Sequence, residues 1–301
     1  MTTKGIRYFN EKSYDKALQC CQMAATGGSA AAQYILARMH KYGHGTEQSW
    51  TSAMEWYVKS AEQGYPLAQV ALGEIYEYGT DGVDQSDDKA EGWYKKVNCS
   101  GWNKSCDIRA QVNLVLMQRR KDAARKYTVE DVRLFHKAAD LPKWHDVRVL
   151  HELGAMYYYG HGIIRNMQTG MHWWQKAANK GHVESDYQLG CAHKKSNQMR
   201  FAVDHWTKAA RQGHREAAYN LANWWAEQTS QKSSVSEAKK WRLKAAKLGH
   251  VDAQYQVAVL FEAGTHDFTQ STTIAHEWYK RAADQGHTLS QQKVSELSAG
   301  S

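Results

Sequence analysis

Proline is almost absent from this chain: 2 of its 301 residues are Pro, against 22 Gly. That scarcity argues against a Pro-rich linker and against an all-β chain whose turns are built from Pro and Gly. No apolar run approaches the roughly 18 residues that a membrane-spanning helix needs. The first residues also lack the apolar core of a secretory signal, so we expect a cytoplasmic protein.

Cysteine is scarce as well, with five residues: Cys20, Cys21, Cys99, Cys106 and Cys191. An odd number of cysteines, two of them adjacent, does not form a regular disulfide framework. We therefore expect reduced thiols, as in a cytosolic protein. A local disulfide between Cys99 and Cys106 is the alternative.

Charge and hydrophobicity are those of a globular chain. Hydrophobic residues make up 42% and charged residues 23% of the sequence, which is not the composition of a disordered segment. The 39 Lys and Arg exceed the 31 Asp and Glu by 8. That excess permits an acidic partner but does not identify one.

Glycine marks an internal repeat. Glycines recur along the chain at the ends of predicted helices, beginning with Gly27 and including Gly101. The spacing between neighbouring glycines of this set is 32 to 37 residues, except where one boundary between Gly101 and Gly181 cannot be identified. Glycine is the expected residue after the end of a helix, because it adopts a positive φ without steric cost. The chain is therefore built from units of about 36 residues. The other marks are Gly followed by Tyr or His: Gly64-Tyr65, Gly181-His182, Gly213-His214, Gly249-His250 and Gly286-His287.

Each unit contains two helical patterns. In the first helix, a small residue is followed by Leu or Val at offset 4, by Gly or Ala at offset 5 and by an aromatic residue or His at offset 8. Ala68, Leu72, Gly73 and Tyr76 are one example. These offsets lie on one face of an α-helix. In the second helix, a small residue stands three positions before a pair of residues that is usually aromatic. We expect the tryptophan that opens this pair to be mostly buried between helices: Trp56, Trp93, Trp173, Trp241 and Trp278.

These patterns resemble the Sel-1-like repeat, a relative of the tetratricopeptide repeat. The match is carried by LAQVALGEIYEYGTDG with KAEGWYKKV, and by LGAMYYYGHG with MHWWQKAANKGH. The resemblance implies an all-α fold, a right-handed α-solenoid of about seven to eight stacked helix-turn-helix repeats. Physical reasoning agrees, because one hairpin cannot bury its apolar face and stacked hairpins can.

The predicted organisation is a single solenoid over residues 1–301. Residues 1–28 form an atypical first repeat, in which Cys20 and Cys21 replace the aromatic pair. Residues 99–144 form a degenerate middle repeat, and residues 288–301 a C-terminal cap and tail.

Motifs for catalysis or cofactor binding are missing from the sequence. We find no G-x-x-x-x-G-K-[ST] phosphate loop and no G-x-S-x-G nucleophile motif. The His residues that follow the glycines share their position with Tyr65 and Trp102, which indicates packing rather than metal binding. We therefore predict no catalytic residue, no cofactor and no metal site.

Polar and aromatic residues recur at offsets 2, 3 and 6 of the first helices, away from the buried face. They are expected to face the concave groove if the first helix lines it, as in tetratricopeptide relatives. Aromatic and amide groups at such positions suit protein recognition. The predicted partner-binding residues are Arg38, Glu74, Asn113, Glu152, Gln188, Tyr219, Asn220, Asn223 and Gln256.

A basic stretch lies in the middle of the chain. Residues 108–148 contain ten basic and five acidic residues, and Arg119, Arg120 and Lys121 are consecutive. We add these three residues to the predicted site, as contacts for an acidic or amphipathic partner. The alternative is a solvated helix end, since a charge cluster alone is a weak signal.

The sequence thus predicts a non-enzymatic scaffold or adaptor that binds a protein or peptide partner in its groove. The resemblance implies a bacterial adaptor in signalling, in cell-envelope or secretion pathways, or in host interaction. An immunity or antitoxin protein that neutralises a cognate effector is one alternative. A hydrolase-type enzyme and a nucleic-acid binder are two others, and neither is supported by a motif.

Overall fold

Helices make up nearly all of the regular structure in the computed structural model, which describes residues 1–80, 82–98, 104–122, 124–141, 146–228 and 232–299. No strand occurs in these residues, apart from an isolated bridge between Thr80 and Val83. The predicted all-α solenoid fold is confirmed. The helices of the described residues are α1 (Thr2–Asn10), α2 (Tyr14–Thr26), α3 (Ala30–Tyr42), α4 (Trp50–Glu62), α5 (Pro66–Tyr78), α6 (Asp87–Lys96), α7 (Lys104–Lys121), α8 (Val129–Ala139), α9 (Val147–Tyr159), α10 (Met167–Ala178), α11 (Val183–Lys195), α12 (Met199–Arg211), α13 (Arg215–Glu227), α14 (Lys232–Lys247), α15 (Val251–Ala263), α16 (Thr272–Ala283) and α17 (Thr288–Ala299).

The chain divides into two compact units. Unit 1 comprises Met1–Val149 with His161–Ile163, and unit 2 comprises Leu150–Gly160 with Ile164–Ser301. In unit 1, α1 packs on α2, α3 on α4, α5 on α6 and α7 on α8. In unit 2, α11 packs on α12, α13 on α14 and α15 on α16, while α17 packs on α16. Within each unit the hairpins also contact their neighbours in sequence, so each buries its apolar faces against the next.

The second position of the aromatic pair fills the core of five of the described hairpins. Its rings are at most 2% exposed. At the first position, Trp56, Trp93 and Trp173 are partly exposed and less buried than these rings. Trp241 and Trp278 are buried as predicted. The buried rings at the second position are Tyr57, Tyr94, Trp174, Trp206 and Tyr279.

The half-buried first rings lie on the flank of their helices, where a lysine three residues later covers them. The ammonium group of Lys176 lies 4.1 Å from the centre of the Trp173 ring. Lys96 covers Trp93 at 4.2 Å in the same way. Since a cation is attracted to an aromatic face, these rings are stable without full burial.

A small residue in the first helix makes room for each buried ring. A methyl group added to Gly73 would lie 2.3 Å from the Tyr94 ring, and one added to Gly190 would lie 2.4 Å from the Trp206 ring. Such distances are far inside van der Waals contact. Glycine at this position is therefore required by the close approach of the ring and not by a turn.

The junction between repeats combines a left-handed glycine with a capping residue. Gly213 and Gly249 adopt φ values of 94° and 88°, and the next helix begins immediately afterwards. The imidazole Nδ1 of His214 accepts a hydrogen bond from the backbone N–H of Ala217 at 3.2 Å. His182, His250 and His287 cap their helices in the same way. These histidines satisfy backbone donors at helix N-termini, which is a more specific role than the packing predicted from sequence.

The first of these junctions is shifted by one residue from its predicted place. Gly28, not Gly27, has the positive φ, at 87°. Ser29 then caps α3 by accepting from the N–H of Ala32. The sequence pattern assigns Gly101 and Trp102 to the third junction. Both residues lie outside the described residues, as does Cys99. Cys106 is buried.

Candidate partner-binding site

The predicted site residues of unit 1 are engaged within the chain. The Arg109 guanidinium lies 2.5 Å from a carboxylate oxygen of Glu74. The guanidinium of Arg38 lies 4.8 Å from the centre of the Phe9 ring. Each of these contacts joins neighbouring hairpins, so both predicted residues support the stacking of repeats. Their role in binding a partner stays a prediction.

Asn113 belongs to a buried polar network around Glu77, whose carboxylate is only 2% exposed. The Tyr94 hydroxyl donates to Glu77 at 2.7 Å, and the Asn113 amide donates to the Tyr94 oxygen at 3.1 Å. Arg148 donates to the Asn113 carbonyl oxygen at 3.1 Å. Burial is the main cause that raises the pKa of Tyr94, followed by the adjacent Glu77 carboxylate. The side chains of Tyr94, Asn113 and Glu77 are thus each hydrogen-bonded to another described residue.

The three consecutive basic residues are also paired within unit 1. Arg120 lies 2.5 Å from Asp87 and 3.4 Å from Glu77. Lys121 lies 3.5 Å from Glu91. These carboxylates match the local positive charge. The predicted acidic partner of this stretch therefore receives no support from unpaired cations, and it stays a prediction.

Arg119 points to the loop that follows α7. It donates to the backbone carbonyl of Arg125 at 2.7 Å, and its guanidinium lies 4.8 Å from the centre of the Tyr127 ring. Arg119 therefore also supports the chain's own structure.

Unit 2 holds the remaining predicted residues. Glu152 is half-buried in α9. The Gln188 amide donates to Glu184 at 2.8 Å and its carbonyl accepts from the Tyr159 hydroxyl at 3.3 Å. Gln188 is thus occupied by hydrogen bonds within its own unit.

Asn220 and Asn223 differ from the residues above. Both are half-buried on α13, and neither amide side chain has a hydrogen bond to another described residue. Residues three and four positions apart lie on the same helix face, so Tyr219, Asn220 and Asn223 form one surface. We call these three residues the α13 face.

Tyr219 and Gln256 connect the α13 face to α15. The Gln256 amide donates to the Tyr219 oxygen at 3.1 Å. The Tyr219 ring stacks on His250 with ring centres 4.0 Å apart. Burial lowers the pKa of His250, which keeps the imidazole neutral and able to accept the capping hydrogen bond. The structure thus brings together four of the predicted residues: Tyr219, Asn220, Asn223 and Gln256.

A cavity of about 430 Å³ lies beside this group, between α13, α14, α15 and the loop after α15. Its volume falls in the range of small-ligand sites, roughly 300–1,000 Å³. The lining is mainly apolar, and three of its side chains are basic or contain an imidazole. The residues that line it include Trp225, Val235, Tyr255, Val259, Leu260 and Phe268, with Lys239, Arg242 and His266.

Arg242 is a candidate binding residue that the sequence prediction did not include. It follows Trp241 and so stands at the second position of the aromatic pair, where every other described hairpin from α3 onwards places a ring. Its Nε donates to the Gln256 carbonyl oxygen at 3.1 Å. Burial lowers the pKa of Arg242, with a smaller opposing effect of Tyr219. The signal was present in the sequence, as Trp241-Arg242 aligned with Trp56-Tyr57 and Trp93-Tyr94.

The described residues contain no group of three His, Cys, Asp or Glu side chains that could hold a metal ion. None of the helices in the described part of the chain is both long and apolar enough to cross a membrane. The α13 face and the cavity beside it offer apolar surface, free amides and a guanidinium in one place, which suits the binding of a ligand.

Comparison with known proteins gives the family context. The Sel1 repeat matches residues 5–29, 30–65, 66–97, 148–182, 184–214, 215–250 and 251–287. A Sel1 repeat protein from Oxalobacter formigenes is similar in structure, with a TM-score of 0.65, 23% identity, and coverage of 94% of this chain and 80% of the other.

Two further proteins are similar. A protective antigen present in uropathogenic Escherichia coli strains, which displays an SLR fold, has a TM-score of 0.56 at 25% identity and covers 93% of this chain and 67% of its own. Chitin synthase regulatory factor 3 of Schizosaccharomyces pombe is 24% identical over 281 residues. The match covers 90% of this chain but spans only 29% of that relative's length.

Proposed function

The chain belongs to the Sel1 repeat family, and on that premise we propose that it is a non-enzymatic scaffold that binds a protein or peptide partner. Sel1 repeat proteins are generally protein-interaction scaffolds. The observation that carries the proposal is the α13 face, where the amides of Asn220 and Asn223 have no partner among the described residues.

The unoccupied amides are informative because the other polar groups are used. Glu74, Asn113 and Gln188 occupy equivalent places on other first helices, and each is hydrogen-bonded within the chain. An amide that stays open has two donors and an acceptor for a partner's backbone. The adjacent Tyr219 adds a rigid aromatic surface of the type that is enriched at interfaces.

The partner is proposed to lie across the first helices of unit 2, on the α13 face and Gln256. The scaffold needs no cofactor for this role, because recognition depends on complementary hydrogen bonds and apolar contact. The Tyr219 ring is held by the His250 stack and by the Gln256 amide, so the surface is ordered before binding. Such preorganisation reduces the entropy lost on binding.

The test is quantitative affinity capture with the intact chain immobilised, comparing the wild type with Asn220→Ala combined with Asn223→Ala. We expect the partner captured by the wild type to be lost or reduced about tenfold by the double variant. Each amide hydrogen bond contributes roughly 0.5–1.5 kcal/mol, and two of them account for that factor.

The matched control is Gln22→Ala combined with Gln212→Ala. Both residues are exposed, Gln22 on α2 and Gln212 at the end of α12, and they lie on second helices. This control should capture the partner as the wild type does. Equal capture by the α13-face variant and the control would refute the proposed site.

A further inference from the structure

A tyrosine–glutamate pair recurs in two hairpins. The Tyr94 hydroxyl donates to Glu77 at 2.7 Å, and the Tyr279 hydroxyl donates to Glu262 at 2.5 Å. In both, the tyrosine is the second residue of the aromatic pair. The glutamate stands nine residues after the first small residue of the first helix. The pair is thus a feature of the repeat at two defined positions.

The hairpin formed by α13 and α14 changes both positions. Arg242 stands in place of the tyrosine, and Ala226 stands where those two hairpins have the glutamate and two others have Lys41 and Lys194. This hairpin therefore has a cation where the others have a ring, and it lacks the carboxylate that the two tyrosine–glutamate hairpins have opposite. Both Arg242 and Ala226 line the 430 Å³ cavity, which occupies the space near the missing pair.

The carboxylate at this position attracts cations wherever it is present. Glu77 lies 3.4 Å from Arg120 and 3.8 Å from Arg148. Glu262 lies 3.3 Å from Lys293. In both hairpins that have the glutamate, this place therefore brings a carboxylate and a cation together.

Arg242 has no such carboxylate. Its only hydrogen bond to a described residue is the one from Nε to Gln256, and no Asp or Glu is among the residues that line the cavity. Lys239 also lines the cavity, where its ammonium group donates to the backbone carbonyl of Asp267 and lies 4.8 Å from the centre of the Phe268 ring. The charged groups of the lining are therefore basic.

We propose that this cavity binds a carboxylate attached to an apolar side chain, which a peptide partner supplies in place of the missing glutamate. The proposal rests on the proposed scaffold function and names the chemistry that one of its sites recognises. The guanidinium of Arg242 pairs with the carboxylate, since its planar donors match two carboxylate oxygens. The apolar lining, including Val259 and Phe268, receives the adjacent side chain.

The test uses two pairs of short acetylated peptides. The first pair ends in phenylalanine, once as the free acid and once as the amide. The second pair has an amidated end and an internal phenylalanine followed by glutamate or by glutamine. Dissociation constants are measured by calorimetry at low ionic strength. We expect at least one acid to bind roughly tenfold more tightly than its neutral counterpart. The pair that shows the preference identifies a terminal or a side-chain carboxylate as the source.

Two variants test whether Arg242 and the empty glutamate position cause that preference. Arg242→Tyr restores the residue type of other repeats and removes the cation. Ala226→Glu restores the internal carboxylate, which should pair with Arg242 and occupy its place. Both variants should abolish the preference for the acid and keep the helical circular dichroism and melting temperature of the wild type. Arg200→Tyr, at an exposed position on α12, is the matched control and should keep the preference.

Equal binding of acid and neutral peptides by the wild type would overturn the inference. So would a preference that persists in Ala226→Glu, the variant that decides the matter if Arg242→Tyr does not fold. A failure of the proposed function gives a different result. In that case the α13-face variant captures the partner as the wild type does, while the preference for the acidic peptide remains. Loss of the peptide preference with a sensitive α13 face would leave the scaffold function standing.

Discussion

Replacing Trp174 with Ala should damage the fold far more than replacing its neighbour Trp173. The Trp174 side chain is 1% exposed and its ring centre lies 4.8 Å from that of Tyr158. Its indole N–H donates to the backbone carbonyl of His151 at 3.0 Å. A buried Trp→Ala change costs about 3–5 kcal/mol in the free energy of unfolding, because it leaves a cavity. The loss of the indole hydrogen bond adds about 1 kcal/mol or less.

The same change at Trp173 removes much less. The ring is half-buried, so the apolar area lost corresponds to about 1 kcal/mol. The contact with the Lys176 ammonium at 4.1 Å contributes roughly 0.5–1 kcal/mol at a partly exposed site. We therefore expect Trp173→Ala to cost about 1–2 kcal/mol. The two variants differ by one position and remove the same side chain, so each is the other's control.

The assay is urea denaturation followed by far-ultraviolet circular dichroism, with native-state hydrogen exchange to locate the damage. Hydrogen exchange is needed because a repeat array can unfold in parts, and one free energy does not describe it. We expect amides of α9, α10 and α11 to exchange faster in Trp174→Ala. Equal destabilisation by the two variants, or a larger effect of Trp173→Ala, would refute the assignment of the second aromatic position to the core.

Three other perturbations have defined outcomes. Gly190→Ala should lower the melting temperature, because the added methyl group overpacks against the Trp206 ring at a cost of about 1–3 kcal/mol. This cost opposes the helix preference of Ala over Gly, which is about 1 kcal/mol. A rise in melting temperature would contradict the close contact. Because burial lowers the pKa of His250 from 6.5, its contribution to stability is complete above about pH 6.5 and falls as the pH drops below that value. Urea midpoints of the wild type and His250→Ser across that range should converge toward low pH, and a constant difference would be the contrary result. Arg120→Ala should cost about 1 kcal/mol, since Arg120 is 42% exposed and its pair with Glu77 is screened; an unchanged urea midpoint would show that the ion pair contributes nothing.

The repeat itself was predictable from sequence because its positions are fixed by sterics. A glycine at the junction and a small residue opposite a ring tolerate few substitutions, so Gly190 and Gly249 mark the phase of the repeat unambiguously. Which of two adjacent aromatic residues faces the core was not predictable. Neighbours on a helix are about 100° apart, and both can lie near one broad apolar face. The contact of Lys176 with Trp173 shows which ring lies on the flank.

The candidate site was predictable only as a helix face. Offsets 3 and 6 select half-buried residues such as Asn220 and Gln188, but they also select Asn113, which is fully buried. They do not show which residues are already occupied. Glu74 is paired with Arg109, 35 residues away in the next repeat, and such a contact depends on the stacking of hairpins. The free amides of α13 could be distinguished from the occupied ones only in three dimensions.

Comparing the repeats position by position separates structural residues from candidates for function. A single change from Tyr to Arg beside a retained glutamate would create an internal ion pair, like that of Glu77 with Arg120. The observed combination does something else: Arg242 and Ala226 line one cavity, and no Asp or Glu is among the residues that line it. Arg242 is half-buried, and partial desolvation of a cation that has no carboxylate beside it is costly, so packing alone does not favour this combination. A ligand that brings the carboxylate would offset this cost, and the proposed carboxylate site would thus account for an arginine where the other hairpins from α3 onwards place a buried ring.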